Sequence, residues 1–113
     1  MIDGMNEYLD YLRAEYVRWS KPTGDTIRDE TRERMAQQYA DGLTVVYGSK
    51  YAKVIMRSGT QGQSVHSFVC MCDMGKFTKG DILKAAGWAA PAKNFERGNT
   101  MARRFGAIGW AGA

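Results

Sequence analysis

The sequence predicts an α+β domain: two N-terminal helices packed on a small antiparallel sheet of three strands, or four if the tail adds one. Three observations predict it. Apolar residues recur at helical spacing from Met5 to Trp19. From Leu43 onward the pattern becomes β-rich and alternating, with short turns between the runs. The charge changes sign at the same place. Residues 1–49 hold 6 Lys/Arg against 9 Asp/Glu, and residues 50–113 hold 10 against 3. A chain of 113 residues makes one domain, with a helical, acidic part (1–42) and a β-rich, basic part (43–113).

The elements follow in order. Met5, Tyr8, Leu9, Leu12, Tyr16 and Trp19 form one stripe of the first helix, with Asp3 as its N-cap and Pro22 and Gly24 as its stop. A second helix starts at Asp25 or Thr26, where Thr26–Asp29 resembles a capping box, and runs to about Ala40 with Gly42 near its end. Its stripe of Ile27, Met35 and Tyr39 is thin, and residues 28–34 are almost all charged, so it reads as an exposed helix.

Thr44–Tyr47 and Tyr51–Arg57 read together as the first strand region, and Ser64–Cys72 as the second strand. Residues 58–63 form the loop between them, and 73–76 the next turn. The segment 77–88 admits a strand over Ile82–Ala85 or a short helix capped by Asp81. The strand is preferred, because sequential strands tend to lie side by side. Residues 106–113 form a last edge strand or a loose extension. The expected buried face carries Ala52, Val54 and Met56 with Val65, Val69 and Met71. Tyr51, Lys53, Ile55, Arg57, His66, Phe68, Cys70 and Cys72 have the other parity.

Composition narrows the function. Apolar residues make up 44% and charged residues 25%, ordinary globular values that argue against disorder. No apolar run approaches a membrane span, and the acidic N-terminus does not read as a secretory signal. Cys70 and Cys72 suggest no disulfide framework, so a reduced, cytoplasmic location is expected.

The segments Ser64-Val65-His66-Ser67-Phe68-Val69, Gly80-Asp81-Ile82-Leu83-Lys84-Ala85-Ala86-Gly87-Trp88, Ala90-Pro91-Ala92-Lys93 and Arg97-Gly98-Asn99 resemble a pattern in small proteins of tailed bacteriophages. The resemblance covers about residues 50–100. It implies a phage protein working in the host cell cytoplasm or in the virion, and it brings no activity with it.

Binding is expected rather than catalysis. Contact with a host or phage protein, or self-assembly, is the leading reading, with Trp19 and Trp110 as contact residues. The alternative is nucleic-acid binding by the basic half. There Lys53, Arg57, Lys84, Lys93 and Arg97 would meet phosphates and interleaved aromatics would stack on bases. The loop Pro91–Asn99 presents Lys93 and Arg97 to an anion. Read plainly, it is a turn over Trp88, with Gly98 at positive φ and Asn99 bonding its own backbone. His66, Cys70 and Cys72 share a parity but lack a fourth ligand, so no metal and no cofactor is expected. Ser64 or Ser67 beside His66 is adjacency, because strand neighbours face opposite ways. No enzyme motif is present.

Overall fold

Helix α1 is Met5–Trp19 and α2 is Thr26–Gly42. Five strands follow: β1 Thr44–Tyr47, β2 Tyr51–Arg57, β3 Gln63–Cys70, β4 Asp81–Lys84 and β5 Gly98–Asn99. The computed structural model describes residues 2–19, 26–57, 62–106 and 108–112, leaving out the side chains of Trp19 and residues 26–29. The expected contact at Trp19, the turn at Pro22–Gly24, the capping box, the Ile27 stripe position and most of the 58–63 loop lie outside these described residues. Every strand pairs antiparallel with the next in sequence, giving an open meander β1-β2-β3-β4-β5.

The α+β class holds, but the sheet has five strands rather than three or four. The stretch read as one strand region is a hairpin. Gly48 N–H donates to the Tyr51 carbonyl at 2.8 Å, and Ser49-Lys50 turns the chain. The preferred strand over 82–85 is present as β4. The fifth strand is only Gly98–Asn99, too short to leave a periodic signal.

Apolar spacing explains the helical layer. Met5, Tyr8, Leu12 and Tyr16 are all buried against the sheet with Tyr39, Ala52, Val54, Val69 and Ile82. Glu30, Glu33, Arg34 and Asp41 of α2 are exposed, and Met35 of its stripe is 50% exposed. Asp3 is not the cap of α1. Helix α1 begins at Met5, and the Gly4 carbonyl accepts the Tyr8 N–H. Asp3 instead holds Arg103, at 3.0 and 3.1 Å.

The far face of the sheet is not left to solvent. Phe68, Cys70 and Leu83 form a second buried cluster with Phe77, flanked by Tyr51, Val65, Met74 and Ala85. The β3–β4 connection and the long β4–β5 connection supply that cover. Val65, expected beside Val69, lies on this far face because β3 carries a bulge. Val54 pairs with Ser67 but Ile55 pairs with Val65, so His66 is an extra residue.

The tail is a clasp rather than a strand or a loose end. Tyr11 Oη donates to the Ile108 carbonyl at 3.0 Å and Tyr39 Oη to the Trp110 carbonyl at 2.7 Å. Ile108 is buried in the helix-side core. No helix among the described residues is long and apolar enough to cross a membrane.

Candidate nucleic-acid interface

The far face presents cations on aromatic rings. Lys53 leaves β2 on this face, and its Nζ lies 4.6 Å from the centre of the Trp88 ring and 5.9 Å from that of Phe68. Trp88 sits at the tip of a small loop that closes where Ala85 bridges to Pro91. That loop brings the indole back over β2. Lys76 lies 5.3 Å from the Phe77 ring, and its Nζ also donates to the Asn94 carbonyl, which ties the two covering loops together. One residue on, Phe95 takes the Arg97 guanidinium at 4.1 Å. Trp88 is 52% and Phe95 59% exposed, so two of these rings face water.

Charge pairing sharpens this picture. Arg103 is neutralised by Asp3 and Glu7, and Arg104 by Glu96. The Arg103 guanidinium holds the Asp3 carboxyl below the usual carboxylate range. Asp81 is buried and takes hydrogen bonds from the Thr78 N–H, the Thr78 hydroxyl and Asn99 Nδ2. Asp73 accepts the Lys79 N–H. Lys53, Lys76, Lys93 and Arg97 have no carboxylate partner among the described residues. Arg97 Nε is buried and makes no hydrogen bond among them.

Of the five expected phosphate-contacting residues, Lys53 and Arg97 enter cation–aromatic pairs. Lys93 is exposed beside Asn94. Lys84 pairs with Ser67, which puts it on the helix-side parity. Arg57 ends β2 and lines a cavity of about 280 Å³ with Tyr39, Met56 and Trp110. Sequence reading passed over Lys76. Its signal was its place next to Phe77.

The Pro91–Asn99 loop corrects two expectations and extends a third. Trp88 is exposed on Lys53 rather than packed beneath the loop. Gly98 does not have positive φ. It is glycine because a Cβ there would lie 2.2 Å from the Arg104 carbonyl oxygen. Asn99 does more than close on nearby backbone: it accepts the Ala102 N–H and also ties its loop to the start of β4, donating to Asp81 and the Lys79 carbonyl. Trp110, the other expected contact residue, packs edge-on against Tyr16 and Tyr39 at 4.9 and 5.9 Å.

A second polar cluster lies on the helix side. The bulge turns His66 and Ser67 to the same side, against the expectation that neighbours point apart. His66 Nε2 is 2.8 Å from the Gly109 carbonyl, which can only accept, so Nε2 carries the proton and Nδ1 is the acceptor. Ser67 Oγ donates to Nδ1 at 2.9 Å, and the Tyr8 hydroxyl donates to Ser67 at 2.6 Å. All three side chains are at most 1% exposed. The chain of bonds fastens the tail to the sheet. Cys70 faces the other way, its thiol pushed up to about 11 by burial, while Cys72 is exposed. No group of three His, Cys, Asp or Glu among the described residues could hold a metal ion.

Fold and surface together define an α+β meander with helices on one face and loops bearing cation–aromatic pairs on the other. The chain belongs to the family of unknown function DUF7717, whose family model matches residues 5–113. No curated protein and no solved structure matches it.

Proposed function

We propose that this protein acts by binding rather than catalysis, and that its loop-covered sheet face takes single-stranded nucleic acid. The observation that supports this reading is the set of three cation–aromatic pairs, Lys53–Trp88, Lys76–Phe77 and Arg97–Phe95. Each cation there lacks a carboxylate partner among the described residues, and two of the rings are open to water. A single strand offers both halves of the complement. Its phosphates attract ammonium and guanidinium groups, and its unpaired bases have apolar faces that stack on exposed rings. A duplex hides its bases, so it offers only the phosphates to the same surface. The protein-contact reading through Trp110 is weaker, because that indole is already engaged inside the fold.

The test is a fluorescence-anisotropy titration with single-stranded and duplex oligonucleotides at two salt concentrations. Single strands should bind more tightly than duplex. Affinity should drop about tenfold or more between roughly 50 and 200 mM salt, as several phosphate contacts require. Absence of binding at the lower salt refutes the reading.

A further inference from the structure

The cavity of about 280 Å³ that Arg57 lines lies where α1, α2, one end of the β2–β3 pair and the tail meet. Its apolar part is aromatic. Tyr16 and Tyr39 stack with 4.7 Å between ring centres and 14° between planes, so they make one continuous wall. Trp110 stands edge-on to both, at 80° and 87°, and turns that wall into a corner. A flat ring can lie along one side of such a corner and meet the other edge-on. The corner is preformed, because the Tyr39 hydroxyl donates to the Trp110 carbonyl and holds the tail in place. Met35 and Met56 add flexible thioether lining that adapts to the outline of a ligand.

The charge around this corner selects the ligand. Arg57 and Ser64 line the cavity, and both are exposed. They come from the same end of the β2–β3 pair, where Met56 lies opposite Ser64 and Arg57 opposite Gln63. Arg57 has no carboxylate partner among the described residues. No Asp or Glu lines the cavity, although both helices beside it belong to the acidic part of the chain. A cationic ligand would meet the guanidinium unopposed, whereas a carboxylate would take charge-assisted hydrogen bonds from it. The volume falls at the small end of ligand sites, which run from about 300 to 1,000 Å³. It suits a molecule of one or two fused rings and is too small for a partner's helix.

We propose that this cavity binds a small aromatic carboxylate, with its rings in the corner of Tyr16, Tyr39 and Trp110 and its carboxylate on Arg57. The Ser64 hydroxyl is the second donor. Arg57, which the sequence marks for an anion, thereby gains a partner apart from the Lys53, Lys76 and Arg97 surface. The site lies on the helix side of the sheet, so the inference does not rest on the nucleic-acid reading. Because the tail forms one wall, an occupied cavity also holds the clasp shut, and saturating ligand should raise the Tm.

Isothermal titration calorimetry of the full chain with naphthoate tests the proposal. Saturable binding is expected. Naphthylmethanol, which lacks the charge, and benzyltrimethylammonium, which reverses it, should each bind roughly fivefold or more weakly, the loss of one solvent-exposed charge-assisted contact. Arg57→Gln should weaken naphthoate by a similar factor and leave naphthylmethanol unchanged. Met35→Trp, at an exposed position of α2, should fill the cavity and abolish binding of both. Trp88→Ala should bind naphthoate as wild type does, which separates this cavity from the Lys53–Trp88 pair on the other face. Absence of saturable binding overturns the proposal. So does equal or tighter binding of the neutral or cationic probe, wild-type affinity in folded Arg57→Gln or Met35→Trp, or loss of binding in Trp88→Ala.

Discussion

His66 and Ser67 reach the same side of the sheet because β3 holds one residue more than β2 can match. Strict alternation would place them on opposite faces, and nothing in the residue pattern marks the bulge. The energetic consequence is testable. Ser67→Ala leaves Nδ1 of His66 without its close donor, with only the Tyr8 hydroxyl nearby at 3.3 Å. Urea unfolding should show a loss of about 1–3 kcal/mol, the cost of a buried polar atom left poorly paired. The imidazole also gives the fold a pH dependence. Burial lowers the pKa of His66 from its ordinary 6.5, and the bond to the Gly109 carbonyl opposes that only in part. The unfolded chain therefore binds the proton more readily. The stabilisation is complete above pH 6.5 and is lost as pH falls from there through the folded-state value. His66 is the only histidine in the chain, so its replacement by Gln should flatten the stability profile as pH falls from 6.5. A profile identical to wild type would show that His66 is not responsible.

At the scale of elements, α1 was legible because its signal is periodic and long, and α2 from its end signals despite a thin stripe. The stripe of Met5, Tyr8, Leu12 and Tyr16 is the buried stripe. The sheet was legible in part. Alternation marked β2 and β3, and β4 was preferred over a short helix because sequential strands lie side by side, but Gly48-Ser49-Lys50 gave too weak a turn signal to separate β1 from β2. The tail was not legible, since its order comes from hydroxyls of Tyr11 and Tyr39 and the ring of His66, far away in sequence. Removal of residues 106–113 would take Ile108 from the core and expose the faces of Tyr16 and Tyr39 that Trp110 covers. A lower Tm and increased binding of a hydrophobic dye are expected. An unchanged melt would mean that the clasp adds no stability. The start of α1 depends on Gly4. Its φ is +83°, and a Cβ there would lie 1.9 Å from the Thr100 carbonyl oxygen. Gly4→Ala should therefore cost at least about 2 kcal/mol in chemical denaturation.

Over the whole molecule, the charge split visible in the sequence becomes a division between two layers. The helices carry most of the acid and cover one face. The basic half builds the sheet and the loops over its other face. What composition could not reveal is which cations are already satisfied. Arg103 and Arg104 sit in a basic cluster by sequence, yet carboxylates hold both. Lys84 falls to the helix-side parity, and Arg57 ends at the cavity. The choice among ten basic residues was made by register and by two loop closures, which are tertiary properties.

The most direct measurement compares single-stranded oligonucleotide affinity for wild type, Trp88→Ala and Lys84→Ala at low salt. Loss of one base-stacking ring is worth about 1–3 kcal/mol, so Trp88→Ala should bind roughly fivefold or more weakly, with Lys84→Ala close to wild type. Equal weakening by both variants, or none by Trp88→Ala, would contradict the assignment of binding to the loop-covered face.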